Sequence, residues 1–299
     1  MNKIYKKFSL SSRFVNFCLK IVNYKKNFIT IENTKKYIKK LNKFKYKLPK
    51  KMGFVLEKFN GMDVYSYNGK IENNKKILLY VHGGAYIENA IYFQLKSVMK
   101  IAKKSNSTLI VPIYPLAPEN NYKKTYDLME KLYNKLIEKN KVINMIGDSA
   151  GGAFILSFSM YLRDKNIIQP ENIIMLSPWL DISLSNLKMK EYEKKDIILS
   201  IEGSRYAGEL WRGELPSDNF LVSPLYGNYD NLGKMTIIVG ENEILKPDIE
   251  IFRKKLDKLK IEYNYFEYYK QCHNFAIYPT KEAKEVMKDI VNIINGFER

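Results

Sequence analysis

Cysteine and histidine are both scarce in this chain, with two of each in 299 residues. Cys18 and Cys272 stand far apart, so neither a disulfide framework nor a close-spaced thiolate metal site is suggested. No metal and no cofactor is expected. No apolar run approaches the length needed to span a bilayer. The N-terminus is basic, yet Arg13, Asn16 and Lys20 interrupt its apolar patch, which argues against a cleaved signal peptide. From these absences we expect a cytoplasmic protein in reducing surroundings. Internal repeats and low-complexity linkers are missing too, and the length suits one domain with an appendage.

Acid is missing from one part of the chain only. Residues 1–51 hold sixteen Lys or Arg against the single acid Glu32, a charge of +15 out of +18. The other 248 residues carry only +3. A nearly neutral body with one basic arm does not read as a nucleic-acid binder. Within the arm, residues 11–24 start with the capping candidates Ser11 and Ser12 and put Phe14, Phe17, Cys18 and Ile21 on one helical face. Residues 34–47 repeat this with Tyr37, Ile38, Leu41 and Phe44 between lysines. The pattern suits two helices docked over a site, making residues 1–48 a cap; it also suits a basic amphipathic anchor in weak contact with an anionic membrane surface. Docked helices are the reading adopted at this level.

Beyond Pro49 the chain alternates. Residues 53–67 predict a strand pair turning at Asn60-Gly61. Strands follow at Ile77–Val81, Leu109–Tyr114, the run ending at Asp148, Ile173–Leu176, Met235–Val239 and Ile261–Tyr269, with helices between most of them. This order predicts an α/β fold with a mostly parallel sheet, occupying residues 49–299. Residues 183–215 break the alternation and read as an insertion that adds to the cap.

What is present at the centre is Gly147-Asp148-Ser149-Ala150-Gly151, set between an apolar strand and a buried helix. In that context the string is a nucleophile elbow, a sharp turn holding Ser149 proud of the sheet. A serine hydroxyl needs a base. Of the two histidines, His273 follows the last strand and fits the order Ser, acid, His; His82 precedes two glycines and suits a loop-orienting role. The acid belongs in the loop after the preceding strand, where Glu243 is best placed; Asp248 suits a helix cap and Glu241 a solvated position. Backbone N–H groups of Gly83, Gly84 and Ala150 are the candidate oxyanion donors. Tyr86 either lines a substrate pocket or packs in the core.

The strings HGGAY, YPLAPE, GDSAGG, SPWLD, GENEIL and QCHNF, in this order, resemble the hormone-sensitive lipase family of α/β-hydrolase esterases over residues 75–280. The resemblance implies an eight-stranded sheet with helices on both faces, a helical cap, and carboxylester hydrolysis by Ser149, Glu243 and His273. It also implies a small acyl ester as substrate, short to medium in chain length. The family's acid is more often Asp than Glu; Gly233-Lys234 and Pro115 depart from its pattern outside the chemistry. Alternatives are an amidase, formamidase or sugar deacetylase on the same triad, or a non-catalytic ligand-binding homologue.

Overall fold

The structure is a computed structural model and describes residues 2–43, 46–69, 76–138 and 142–297. Phe44, assigned above to the second helix, and Lys141, before the elbow strand, lie outside the described residues.

Among the described residues nine strands form one sheet. In chain order they are β1 (Asn2–Tyr5), β2 (Val55–Phe59), β3 (Met62–Tyr67), β4 (Lys76–Val81), β5 (Thr108–Ile113), β6 (Val142–Asp148), β7 (Asn172–Leu176), β8 (Lys234–Asn242) and β9 (Tyr263–Cys272). Their spatial order is β1-β9-β8-β7-β6-β4-β5-β3-β2. The β2–β3 and β3–β5 pairings are antiparallel and the rest parallel. The helices are α1 (Leu10–Val22), α2 (Ile31–Leu41), α3 (Tyr92–Lys104), α4 (Tyr122–Ile137), α5 (Ala150–Asp164), α6 (Met189–Glu193), α7 (Ile201–Arg212), α8 (Lys246–Leu259) and α9 (Lys281–Ile294).

The central strands have no polar face. In β4, Ile77 to Val81 are all buried, as is every residue of β7. Strands buried on both sides read as continuous apolar runs, because helices cover both faces of a parallel sheet. The β2–β3 hairpin turns at Asn60 (φ 48°) and Gly61 (φ 84°), the positive φ pair that the Asn-Gly signal predicts.

The strand count corrects the expected eight. The ninth is β1, parallel to β9 at the sheet edge. Four basic-flanked residues carry too little pattern to announce a strand. Tertiary contacts hold them: Tyr5 stacks on Tyr268 with ring centroids 4.2 Å apart. The arm is therefore partly a strand of the catalytic sheet as well as a covering element. The cap of α1 also differs from expectation: Ser9, and neither Ser11 nor Ser12, accepts from a first-turn N–H (Ser12 N, 3.2 Å). Ser12 is buried instead, its hydroxyl donating to Glu282 at 2.7 Å and accepting from Gln271 at 2.9 Å.

The two arm helices behave differently. The inner face of α2 docks, burying Thr34 and Ile38, against α7 and the 3₁₀ turn Tyr24–Phe28. The backbone of α7 approaches so closely that a Cβ on Gly203 would lie 2.3 Å from Thr34 Oγ1. In α1 the apolar face points away from the protein: Leu10 is 80% exposed, Phe14 67%, Phe17 60% and Ile21 68%. Docking is the expectation for both helices; α1 docks through Ser12 and Leu19 and leaves the stripe of Phe14, Phe17 and Ile21 outward. Periodicity states which residues share a face but not which face is covered. Among the described residues no helix is long and apolar enough to cross a membrane.

Candidate active site

Three side chains from the carboxyl ends of neighbouring parallel strands converge. Ser149 follows β6, Glu243 follows β8 and His273 follows β9, with β7 lying between β6 and β8. Ser149 Oγ lies 3.0 Å from His273 Nε2, and His273 Nδ1 lies 2.7 Å from Glu243 Oε2. The residues named from the sequence as nucleophile, base and acid are thus in one hydrogen-bonded line. Ser149 holds φ 53° and ψ −120°, a conformation that costs energy and is sustained by its surroundings. Its N–H donates to Leu176 O at 2.8 Å and its carbonyl accepts from Trp179 N at 3.1 Å. The elbow tolerates no bulk beside it: a Cβ on Gly151 would lie 2.0 Å from Val81 O, and one on Gly147 2.4 Å from Gly151 O.

Glu243 is fully buried and saturated with donors. Its Oε1 accepts from Ser177 Oγ at 2.9 Å and from Gly240 N at 2.7 Å, while Oε2 faces the imidazole. With both oxygens accepting, the carboxylate is the form that fits, although burial alone pushes its pKa up. Burial likewise works against a charged His273. The hydrogen bond and charge of Glu243, supported by Asp196 and Asp148, outweigh it and raise the imidazole above its ordinary value. For this coupled pair the imidazole direction is the one that follows from the bonding: a retained carboxylate lifts His273.

Three supporting residues, Ser177, Asp196 and Asp148, have no role assigned from the sequence. Ser177, at the end of β7, donates to Glu243 and accepts from Asn274 N at 3.2 Å, tying the acid loop to the base loop. Asp196, in the insertion, accepts from the N–H groups of Ile198, Leu199 and Ile244 at 2.8–2.9 Å and so pins the residue after the acid. Asp148 is the hub. Its Oδ1 accepts from Tyr80 Oη at 2.5 Å and Gly83 N at 3.0 Å; its Oδ2 accepts from Gln94 Nε2 and Asn274 Nδ2, each at 2.8 Å. Burial pushes Asp148 up, and these donors oppose the push. The available signal was its place inside the Gly-x-Ser-x-Gly string, where an acid needs partners once buried.

That hub corrects one oxyanion assignment. The Gly83 N–H is taken by Asp148 and is not presented to a substrate. Among the described residues the N–H groups of Gly84, Ala85 and Ala150 have no protein acceptor. Gly84 adopts φ 127°, and a Cβ there would meet Glu88 O at 2.4 Å, so the loop needs glycine at that position. His82 holds this loop and stands outside the proton relay. Its Nδ1–H donates to Gly83 O at 2.8 Å, its ring stacks on Tyr114, and burial lowers its pKa to about 4.

The remaining candidates settle as follows. Tyr86 is buried, stacked on Trp211 at 4.2 Å, with its hydroxyl donating to Ala150 O at 2.9 Å. It packs against Trp211 and holds the start of α5 at Ala150. Asp248 does not cap α8. It lies inside the first turn, buried, accepting from Asn186 Nδ2 at 2.9 Å, and burial pushes it up to about 7. Glu241 is half-buried and accepts from Lys270 N at 2.9 Å, so it is not simply solvated. The triad itself is closed: Ser149 is 6% exposed and His273 2%. A cleft of about 780 Å³ between residues 4–10 and the start of α9 includes none of the three.

A strand–elbow–helix serine, an imidazole after the last strand and a buried carboxylate define the serine-hydrolase arrangement of an α/β sheet. Comparison with known proteins agrees, since a family model described as alpha/beta hydrolase fold matches residues 78–277. The chain belongs to that family. An esterase of Acinetobacter venetianus is 27% identical over 229 residues, covering 75% of this chain and 76% of that protein. A triacylglycerol lipase of Mycobacterium tuberculosis is 31% identical over 163 residues, 54% of this chain and 33% of the lipase. Among solved structures, a candidate esterase from Staphylococcus aureus superposes with a TM-score of 0.84 at 26% identity, covering 91% of this chain and 96% of that one. A hormone-sensitive lipase from a metagenome library shares the fold, with a TM-score of 0.80 at 23% identity over 97% of this chain and 100% of that one.

Proposed function

We propose that the chain is a serine carboxylesterase acting on short- to medium-chain acyl esters through an acyl-enzyme. The observation that carries this reading is the continuous line from Ser149 Oγ through His273 to Glu243, at 3.0 and 2.7 Å. Ser149 Oγ attacks the ester carbonyl and bonds to its carbon while its proton passes to His273 Nε2. Glu243 holds the ring with Nδ1–H toward it and stabilises the imidazolium. The N–H groups of Gly84 and Ala150, with that of Ala85 beside them, receive the oxyanion. His273 then protonates the departing alcohol as the ester C–O bond breaks. Water repeats the sequence, returning the proton to Ser149 and releasing the acid.

The near-complete burial of Ser149 and His273 supports a small acyl group. The names of the esterase and lipase relatives support an ester as the bond cleaved. A panel of p-nitrophenyl esters beside matched anilides tests both points. Ester turnover should fall with chain length, and Ser149→Ala and His273→Ala should each cost at least about a thousandfold. Comparable ester turnover in the parent and in Ser149→Ala would end the proposal, and faster anilide cleavage would move it to an amidase.

A further inference from the structure

Helix α1 is oriented opposite to a helix of a water-facing surface. Its inward side is held by Ser12 and Leu19: Leu19 packs against the core, Ser12 is buried at Glu282 and Gln271, and the N–H and hydroxyl of Ser9 both donate to the Glu282 carboxylate, at 2.6 and 2.7 Å. Its outward side carries Leu10, Phe14, Phe17 and Ile21, spaced four, three and four residues apart and therefore aligned along the helix. Val22, next in the chain, is exposed as well. Arg13 and Lys20 border this stripe, and Lys6 and Lys7 precede it. A groove of about 310 Å³ continues from it, lined by Phe8, Arg13, Phe17, Lys20, Lys195 and Lys270 among others, with no acidic residue among the described residues of its wall. The groove also includes Asn242 and Cys272, the neighbours of the catalytic acid and base.

We propose that α1 is an interfacial docking element that lays this apolar stripe into an anionic lipid surface, with the flanking cations on the headgroups. The charge of the arm favours lipid over a second copy of the chain. The arm carries +15 within residues 1–51, and a two-fold pairing through α1 would bring two such arms together against their repulsion. An anionic surface complements that charge, each Lys or Arg brought to it raising partitioning about fivefold. The 13-residue helix spans about 20 Å, too short to cross a bilayer and suited to lying in its plane. The docking turns this groove, whose wall includes the chain neighbours of Glu243 and His273, toward the lipid.

Deleting the whole arm would remove β1 and the buried Phe28 and Ile38, so point substitutions on exposed positions are the proper test. Flotation of the full chain with phosphatidylcholine vesicles, with and without phosphatidylglycerol, reads binding without reference to turnover. The parent should float with the anionic vesicles only. Phe14→Gln combined with Ile21→Gln, and separately Arg13→Gln combined with Lys20→Gln, should each lower partitioning at least about tenfold. Hydrolysis of a water-soluble p-nitrophenyl ester should stay unchanged in both, which separates loss of docking from loss of the active site. A parent that leaves anionic vesicles unbound would overturn the proposal, as would double variants that bind like the parent. Concentration-dependent self-association abolished by the Phe14 and Ile21 substitutions, with no vesicle binding, would overturn it in favour of a second copy.

Discussion

Asp148→Asn changes one oxygen into an amino group and leaves the side chain's shape alone. In the parent, the two carboxylate oxygens accept four hydrogen bonds, from Tyr80, Gly83, Gln94 and Asn274. A carboxamide keeps one acceptor oxygen for Tyr80 and Gly83, and its N–H₂ then faces the N–H₂ groups of Gln94 and Asn274. Asn274 can turn its amide, because its Oδ1 has no partner among the described residues. Gln94 cannot turn without giving up the bond its Oε1 accepts from Ile91 N at 2.6 Å. One buried donor is left unsatisfied, which costs about 1–3 kcal/mol. The loops that feel this strain carry Gly83 beside the oxyanion donors and Asn274 beside the base. If half or more of the cost appears in the transition state, kcat/KM falls by about 2- to 160-fold. The assay is kcat/KM on a soluble ester, paired with a thermal melt in which Tm falls by several degrees. A variant within twofold of the parent in kcat/KM, with an unchanged Tm, would refute the claim that Asp148 holds the site together.

Two further substitutions test other links. Glu243→Gln removes the carboxylate that, against burial, holds His273 above its ordinary value. The neutral imidazole is the active base, so the parent's kcat/KM climbs with pH through the raised pKa; in the variant this acid limb should move to lower pH and the plateau fall by about a hundredfold or more. The matching stability term is largest below the ordinary imidazole value and is lost as pH rises through the raised one. A pH–rate profile whose limb does not move would count against the pair. Gly203→Ala places a methyl group 2.3 Å from Thr34 Oγ1 and 2.4 Å from Phe28 O, pressing the insertion off the arm. It should destabilise the chain by about 1–3 kcal/mol, read as a lowered melting midpoint, and an unchanged midpoint would mean that the cap seam is looser than these contacts require.

Much of the site is written in short stretches of chain. A strand, a Gly-Asp-Ser-Ala-Gly turn and a buried helix are contiguous, so the elbow is legible wherever it occurs. With two histidines in the chain and only one after the last strand, the base follows from order. The acid follows from lying three residues past Gly240, where the apolar run of its strand stops. The alternation of apolar runs and amphipathic helices likewise states a parallel sheet, because strands covered on both faces lose their polar side. All these features depend on neighbours within a few residues.

Other features depend on partners far along the chain, and only the tertiary structure decided them. The Gly83 N–H is withdrawn from the oxyanion hole by a carboxylate 65 residues away. The first strand exists because β9 offers it an edge, and Asp196 acquires its role by meeting the N–H of Ile244. In α1 the period of the apolar residues was plain from the sequence, while their direction was set by Glu282, 270 residues beyond Ser12. A helical pattern sorts side chains by face, and it takes the rest of the fold to choose which face meets water.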